Sequence, residues 1–173
     1  MNLAEEVSNS KGETLKIYYD DNYEEDYDRL GVRYCTHKRY NLWDVKIEHD
    51  NFNSWEEVRK SIRYKCVLPL YMYDHSGLTV STSPFSCPWD SGQIGFIYCS
   101  MANARKYGLK DQESALRHLE AEVRAWNDIL SGQVYGFEVE DPQGEVMESC
   151  WGFIGSDHDK SGLFECAGWE KVA

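Results

Sequence analysis

The chain has 173 residues, a formal net charge of -12 and 14% aromatic residues, including 12 tyrosines and six tryptophans. That length predicts one domain over residues 1–173 with a substantial core, and the tyrosine and tryptophan content favours a β-rich fold over a helical bundle. The negative charge argues against direct binding to nucleic-acid backbones, which demand neutralising cations, and points to a basic partner. No apolar run reaches the roughly 20 residues that cross a bilayer, so no membrane association is expected.

In chain order, residues 1–13 are polar and aperiodic, and a loose N-terminal arm is expected there. Thr14–Tyr19 (TLKIYY) is rich in strand formers. In the following DDNYEEDYD, residues 20–28, six of nine positions are carboxylates; such crowding repels itself and predicts a solvated loop. A second strand is expected over 31–36. Residues 53–64 predict a short helix, capped by Asn53 or Ser54, with Glu56 and Glu57 in its first turn and Arg59, Lys60 and Arg63 towards its end. Cys66–Tyr73 predicts a strand in which Pro69 removes a ladder donor and marks an edge or bulge. Strands over 77–81 and 93–99 flank the loop SPFSCPWDSG.

Residues 111–130 carry the clearest helical period, with Leu116, Leu119, Val123, Trp126 and Leu130 in one stripe and Ser131-Gly132 as a stop. A hairpin is expected from 133–140 and 145–154 around Asp141-Pro142-Gln143-Gly144, a type I turn. One further docked turn is expected in the C-terminal FECAGWEKVA. The pattern defines an α+β fold: a mainly antiparallel sheet packed by one long helix (about 111–130) and a shorter one (about 53–64).

The six cysteines are scattered and include no Cys-x-x-Cys pair. The N-terminus lacks the basic and apolar regions of a secretory signal. Reduced thiols and a cytoplasmic location are therefore expected, the host-cell cytoplasm if the chain is phage-encoded.

The densest polar stretch lies between Leu68 and Ile97, where Asp74, His75, Ser76, Cys87, Asp90 and Ser91 sit at turns beside apolar strands. Rigid strands aim turn residues, as a reaction site requires. Asp74 or His75 could act as a general base, although neighbours on a strand face opposite ways and cannot form a triad by themselves. Cys87 would need a cationic or histidine neighbour to become a nucleophile. Cys35 and His37, with Asp44 downstream, are metal-ligand types, and His37 and Asp44 are the candidate pair for a divalent metal. An enzyme reading, a hydrolase or nucleotide-processing activity, collects His37, Asp74, His75 and Asp90, provided the 35–44 and 74–91 segments converge. A binding reading uses the acidic run instead: Asp20, Asp21, Glu24, Glu25, Asp26 and Asp28, with Tyr23 and Tyr27 interleaved, could imitate phosphates and engage an arginine-rich groove. Ordinary turns and a solvated loop account for the same residues without chemistry.

The segments RLGVRYCTHKRYNLWD (29–44), LPLYMYDHSGLTVSTSPFSCPWDSGQIGFIY (68–98), EVRAWNDILSGQVYGFEVED (122–141) and ESCWGFIG (148–155) resemble a family of small uncharacterised proteins from bacteriophages and bacterial mobile elements. Together they cover just under half of the chain. The resemblance implies a genomic setting in which small acidic proteins antagonise host machinery. The leading expectation is thus a phage-type accessory protein that binds a host or defence protein with a basic surface; the metal-dependent or Cys/His-based enzyme is the alternative.

Overall fold

The computed structural model describes residues 2–25, 27–48 and 51–169. The class is α+β, as expected, but the strands divide between two sheets and the chain packs as two compact units.

The first unit comprises residues 1–26 and 128–173. Strands β1 (Asn2–Ser8), β2 (Thr14–Tyr19), β8 (Val134–Glu140) and β9 (Val146–Ile154) form an antiparallel sheet in the order β1-β2-β8-β9. Alternation along TLKIYY buries Leu15 and Ile17, which lie opposite Val139 and Phe137 of β8. Tyr135 joins them, and Leu163 and Ala167, from the short helix α4 (Leu163–Cys166) and its C-cap, complete the core. On the other face Trp151 lies opposite Gly136 and stacks with Tyr18 at 6.1 Å. A Cβ at Gly136 would stand 2.0 Å from the Trp151 ring, so the indole occupies the space that glycine leaves.

Residues 2–8 correct the expected loose arm, because they are β1, paired in antiparallel register with β2. As an edge strand with six of its seven residues exposed, it shows no apolar alternation in its sequence. Its turn does carry a signal: the Asn9 side chain accepts from the amides of Lys11 and Glu13, and Gly12 takes a φ of 80°.

The second unit, residues 27–127, holds a five-stranded sheet in the order β4-β3-β7-β5-β6. Its strands are β3 (Val32–Cys35), β4 (Val45–Lys46), β5 (Cys66–Asp74), β6 (Leu78–Ser81) and the central β7 (Ser91–Cys99). All neighbours are antiparallel except β3 and β4. Gly95 of β7 lies opposite Cys35, and a Cβ there would stand 2.3 Å from the Tyr34 carbonyl oxygen, so only glycine permits that approach. Pro69 sits where β5 has β7 alone as a partner, next to a register shift at Leu70/Tyr71, as its missing amide requires.

Helix α1 (Trp55–Ser61) is shorter than the 53–64 span expected from its charges. Ser54 caps it by accepting from the Glu57 amide at 3.3 Å. Helix α2 (Met101–Lys106) was not anticipated; Ser100 caps it. The long helix α3 (Gln112–Leu130) buries Ala115, Leu119, Glu122, Val123 and Trp126 in one stripe. Glu122 accepts the amides of Leu30 and Gly31 at 2.7 and 2.8 Å, and the buried Arg33 guanidinium lies 4.1 Å from the Trp126 ring. These contacts tie the start of β3 to the helix. Among the described residues no helix is long and apolar enough to cross a membrane.

Candidate functional site

The 35–44 and 74–91 segments meet, for a reason contained in the sheet register. Cys35 at the end of β3 pairs with Gly95, while Tyr73 near the end of β5 pairs with Ser91 at the start of β7. The loop after β3, the β5–β6 turn and the loop before β7 therefore emerge at one end of the central strand. A depression of about 280 Å³ lies there, lined by His37, Arg39, Asp74, Trp89, Asp90 and Ser91 among others.

Three of the four expected acid–base residues, His37, Asp74 and Asp90, line this depression, and the fourth, His75, does not line it but lies beside Asp90. The Asp74 side chain is less exposed than those of Arg39 and Asp90. Arg39 donates to its Oδ2 at 2.5 Å, and the Tyr40 hydroxyl lies 3.5 Å from Oδ1. The Tyr40 ring stacks on His37 with centroids 5.1 Å apart and planes 12° from parallel. His37 Nδ1 accepts from the Arg39 amide at 3.3 Å, which leaves the proton of a neutral imidazole on Nε2. Burial holds the His37 pKa below its ordinary value; Asp74 opposes this and Arg39 adds to it. His75 Nδ1 lies 3.3 Å from Asp90 Oδ2, with both groups substantially exposed.

Asp74, His75, Ser76 and Gly77 belong to a tight hairpin turn in which Asp74 pairs with Leu78 and the His75 amide donates to the Gly77 carbonyl. Ser76 takes the left-handed conformation, with φ at 60°. The adjacent loop is equally committed: Asp90 accepts the Asp74 amide on its carbonyl, and the Ser91 hydroxyl donates to the Cys87 carbonyl. The Cys87 thiol donates to Asp90 at 3.8 Å, so its partner is a carboxylate and not the histidine or cation that would favour a nucleophilic thiolate. Among the described residues no hydrogen bond joins a hydroxyl or thiol to either histidine. Trp89, in the same loop, is 92% exposed.

Asp44, expected to pair with His37 at a metal, does not line this depression. Its Oδ1 takes Arg29 at 2.8 Å and its Oδ2 accepts the Arg33 amide at 2.7 Å, so it fastens the loop back onto β3. Cys35 points into the core with its thiol pKa pushed up to about 12 by burial, the behaviour of a small apolar residue. No group of three or more His, Cys, Asp or Glu side chains among the described residues could hold a metal ion.

The acidic run belongs largely to the first unit. Asp21, Glu24 and Glu25 are exposed and Asp20 is half-buried, its amide donating to the Val134 carbonyl at 2.8 Å. Asn2 donates to Asp21 at 3.1 Å. Asp28 falls in the second unit, where it accepts the Tyr107 hydroxyl and raises that phenol's pKa. Asp26 lies outside the described residues.

Two features escaped the sequence reading. Arg39, which charges the rim of the depression, is visible as the last residue of a His-Lys-Arg triplet in an acidic chain. The second is charge segregation. Residues 1–26 and 128–173 contain 18 Asp and Glu against four lysines and no arginine, whereas residues 27–127 contain 12 Asp and Glu against 14 Lys and Arg. Totals along the sequence hide this, because the two halves of the first unit are separated by a hundred residues.

No protein-family model, curated protein or solved structure matches the chain.

Proposed function

We propose that this is a cytoplasmic accessory protein of the phage and mobile-element type, which binds and antagonises a host or defence protein through the acidic surface of its first unit. The segregation of charge carries this reading: one unit holds 18 carboxylates against four lysines while the other is close to neutral. Solubility alone requires no such sorting, whereas a docking surface for a basic partner does. The carboxylates extend beyond the 20–28 run onto the sheet. On the sheet face that carries Tyr18 and Trp151, Glu6 and Glu138 stand opposite Lys16, which pairs with Glu140 at 2.6 Å, so carboxylates outnumber the cation beside the two rings.

The test is capture of a partner from host lysate, followed by affinity measurement with the purified partner at low and high salt. Affinity should fall steeply with salt. Neutralising Asp20, Asp21, Glu24, Glu25, Asp26 and Asp28 together should abolish binding, and unchanged affinity would sink the reading.

A second reading, a hydrolase or nucleotide-processing enzyme, is favoured by one observation: His37, Asp74 and Asp90, distant in sequence, share one depression with the Arg39–Asp74 ion pair. It requires that His37→Ala or Asp90→Ala abolish function while the thermal midpoint stays within a few degrees of wild type.

A further inference from the structure

On its other side the loop after β3 borders a second and larger cavity, of about 620 Å³, and His37 lines both. Trp43 and Trp55 supply its aromatic walls, Lys38 and Lys46 its cations, and Thr36 and Gln93 neutral hydrogen-bonding groups. Trp55 is held from behind by an edge contact with the buried Phe96 at 6.3 Å, so its position is set by the core. Lys46 Nζ lies 5.5 Å from the Trp43 ring centroid. Among the described residues neither Lys38 nor Lys46 forms an ion pair, although the chain carries 30 carboxylates, and Glu48 is the only acid among the described lining residues. Two exposed lysines, one of them over the Trp43 ring, share this cavity with two half-buried indoles and form a site for a ligand that is both flat and anionic. Screening over about 8 Å at physiological salt keeps the remaining charge of the protein from dominating this local balance.

We propose that this cavity binds a nucleoside phosphate, its ring against Trp43 and Trp55 and its phosphates on Lys38 and Lys46. A phosphate accepts charge-assisted hydrogen bonds from an ammonium, and a base stacks on an indole whatever its sequence identity. The acidic surface of the first unit takes no part, so partner capture should survive loss of these lysines.

The experiment is titration of the intact protein with ADP, adenosine and pyrophosphate, followed by tryptophan fluorescence and by calorimetry. ADP should bind saturably in the micromolar to sub-millimolar range, and adenosine and pyrophosphate each about tenfold more weakly, since each lacks one half of the interaction. The double variant Lys38→Ala/Lys46→Ala should weaken ADP about tenfold or more. Lys110→Ala, away from the cavity, should not. Trp43→Phe should reduce the fluorescence response while keeping part of the affinity. Absence of saturable ADP binding at millimolar concentration would overturn the assignment, as would ADP affinity unchanged in the double lysine variant. Pyrophosphate binding as tightly as ADP would reduce the cavity to a simple anion site and overturn its ring specificity.

Discussion

Glu122 is the residue on which the second unit's geometry can be tested most directly. Its side chain is buried on α3, and its two oxygens accept the amides of Leu30 and Gly31 at 2.7 and 2.8 Å, with His118 Nε2 3.3 Å from Oε1. Hydrogen bonds to a charged group contribute about 1.5–3 kcal/mol each, and stranding a buried partner costs about 1–3 kcal/mol. Glutamine keeps one acceptor oxygen but turns an NH₂ towards the second amide, so Glu122→Gln loses one bond and opposes two donors. The expected destabilisation is about 2–4 kcal/mol. At about 2–4 °C per kcal/mol for a protein of this size, the thermal midpoint should fall by about 4–16 °C. Urea unfolding followed by tryptophan fluorescence at pH 7 measures it. Gly31→Ala probes the same contact from the other side, because its Cβ would stand 2.5 Å from both Glu122 Oε2 and Ile97 Cδ1. In a Glu122→Ala background part of that clash is gone, so the two substitutions should cost less together than the sum of their separate effects. If Glu122→Gln leaves stability within about 0.5 kcal/mol of wild type, the clamp does not hold β3 and the reasoning fails.

Two further outcomes follow from the site. His37 should titrate below its unfolded value of about 6.5 by NMR. With its folded pKa lowered chiefly by burial, the stability it contributes is fully present above that unfolded value and is lost as pH falls through the folded one. Arg39→Ala should raise the midpoint, and a wild-type midpoint at or above 6.5 would refute the assignment. Ser76 is a non-glycine residue in the left-handed region at φ 60°, so Ser76→Gly should stabilise by up to about 1 kcal/mol in urea unfolding. A loss of stability there would show that the serine side chain, and not the backbone, sets the turn.

Elements with strong periodicity or apolar runs were legible before the structure: β2, β5, β7, β8, β9 and α3 fall within two residues of their expected spans. Those held by main-chain pairing or caps alone were not. β1 is almost wholly exposed, β4 has two residues, and α2 has one buried side chain, so none leaves an apolar pattern to detect. Candidate site residues divide the same way. His37, Asp74, His75 and Asp90 could be nominated by type and by their place at turns, whereas Asp44, of equally suitable type, is consumed by Arg29 and the Arg33 amide.

By itself the sequence determined the α+β class, because residue periods of two and of about 3.6 are local properties, and it located the polar turns that interrupt them. Only the tertiary structure decided that the strands form two sheets, that the 35–44 and 74–91 loops open at one end of β7, and that the excess of carboxylates over cations falls in one unit. Each of these depends on pairing between residues tens of positions apart or more, where register, and not composition, determines which side chains meet.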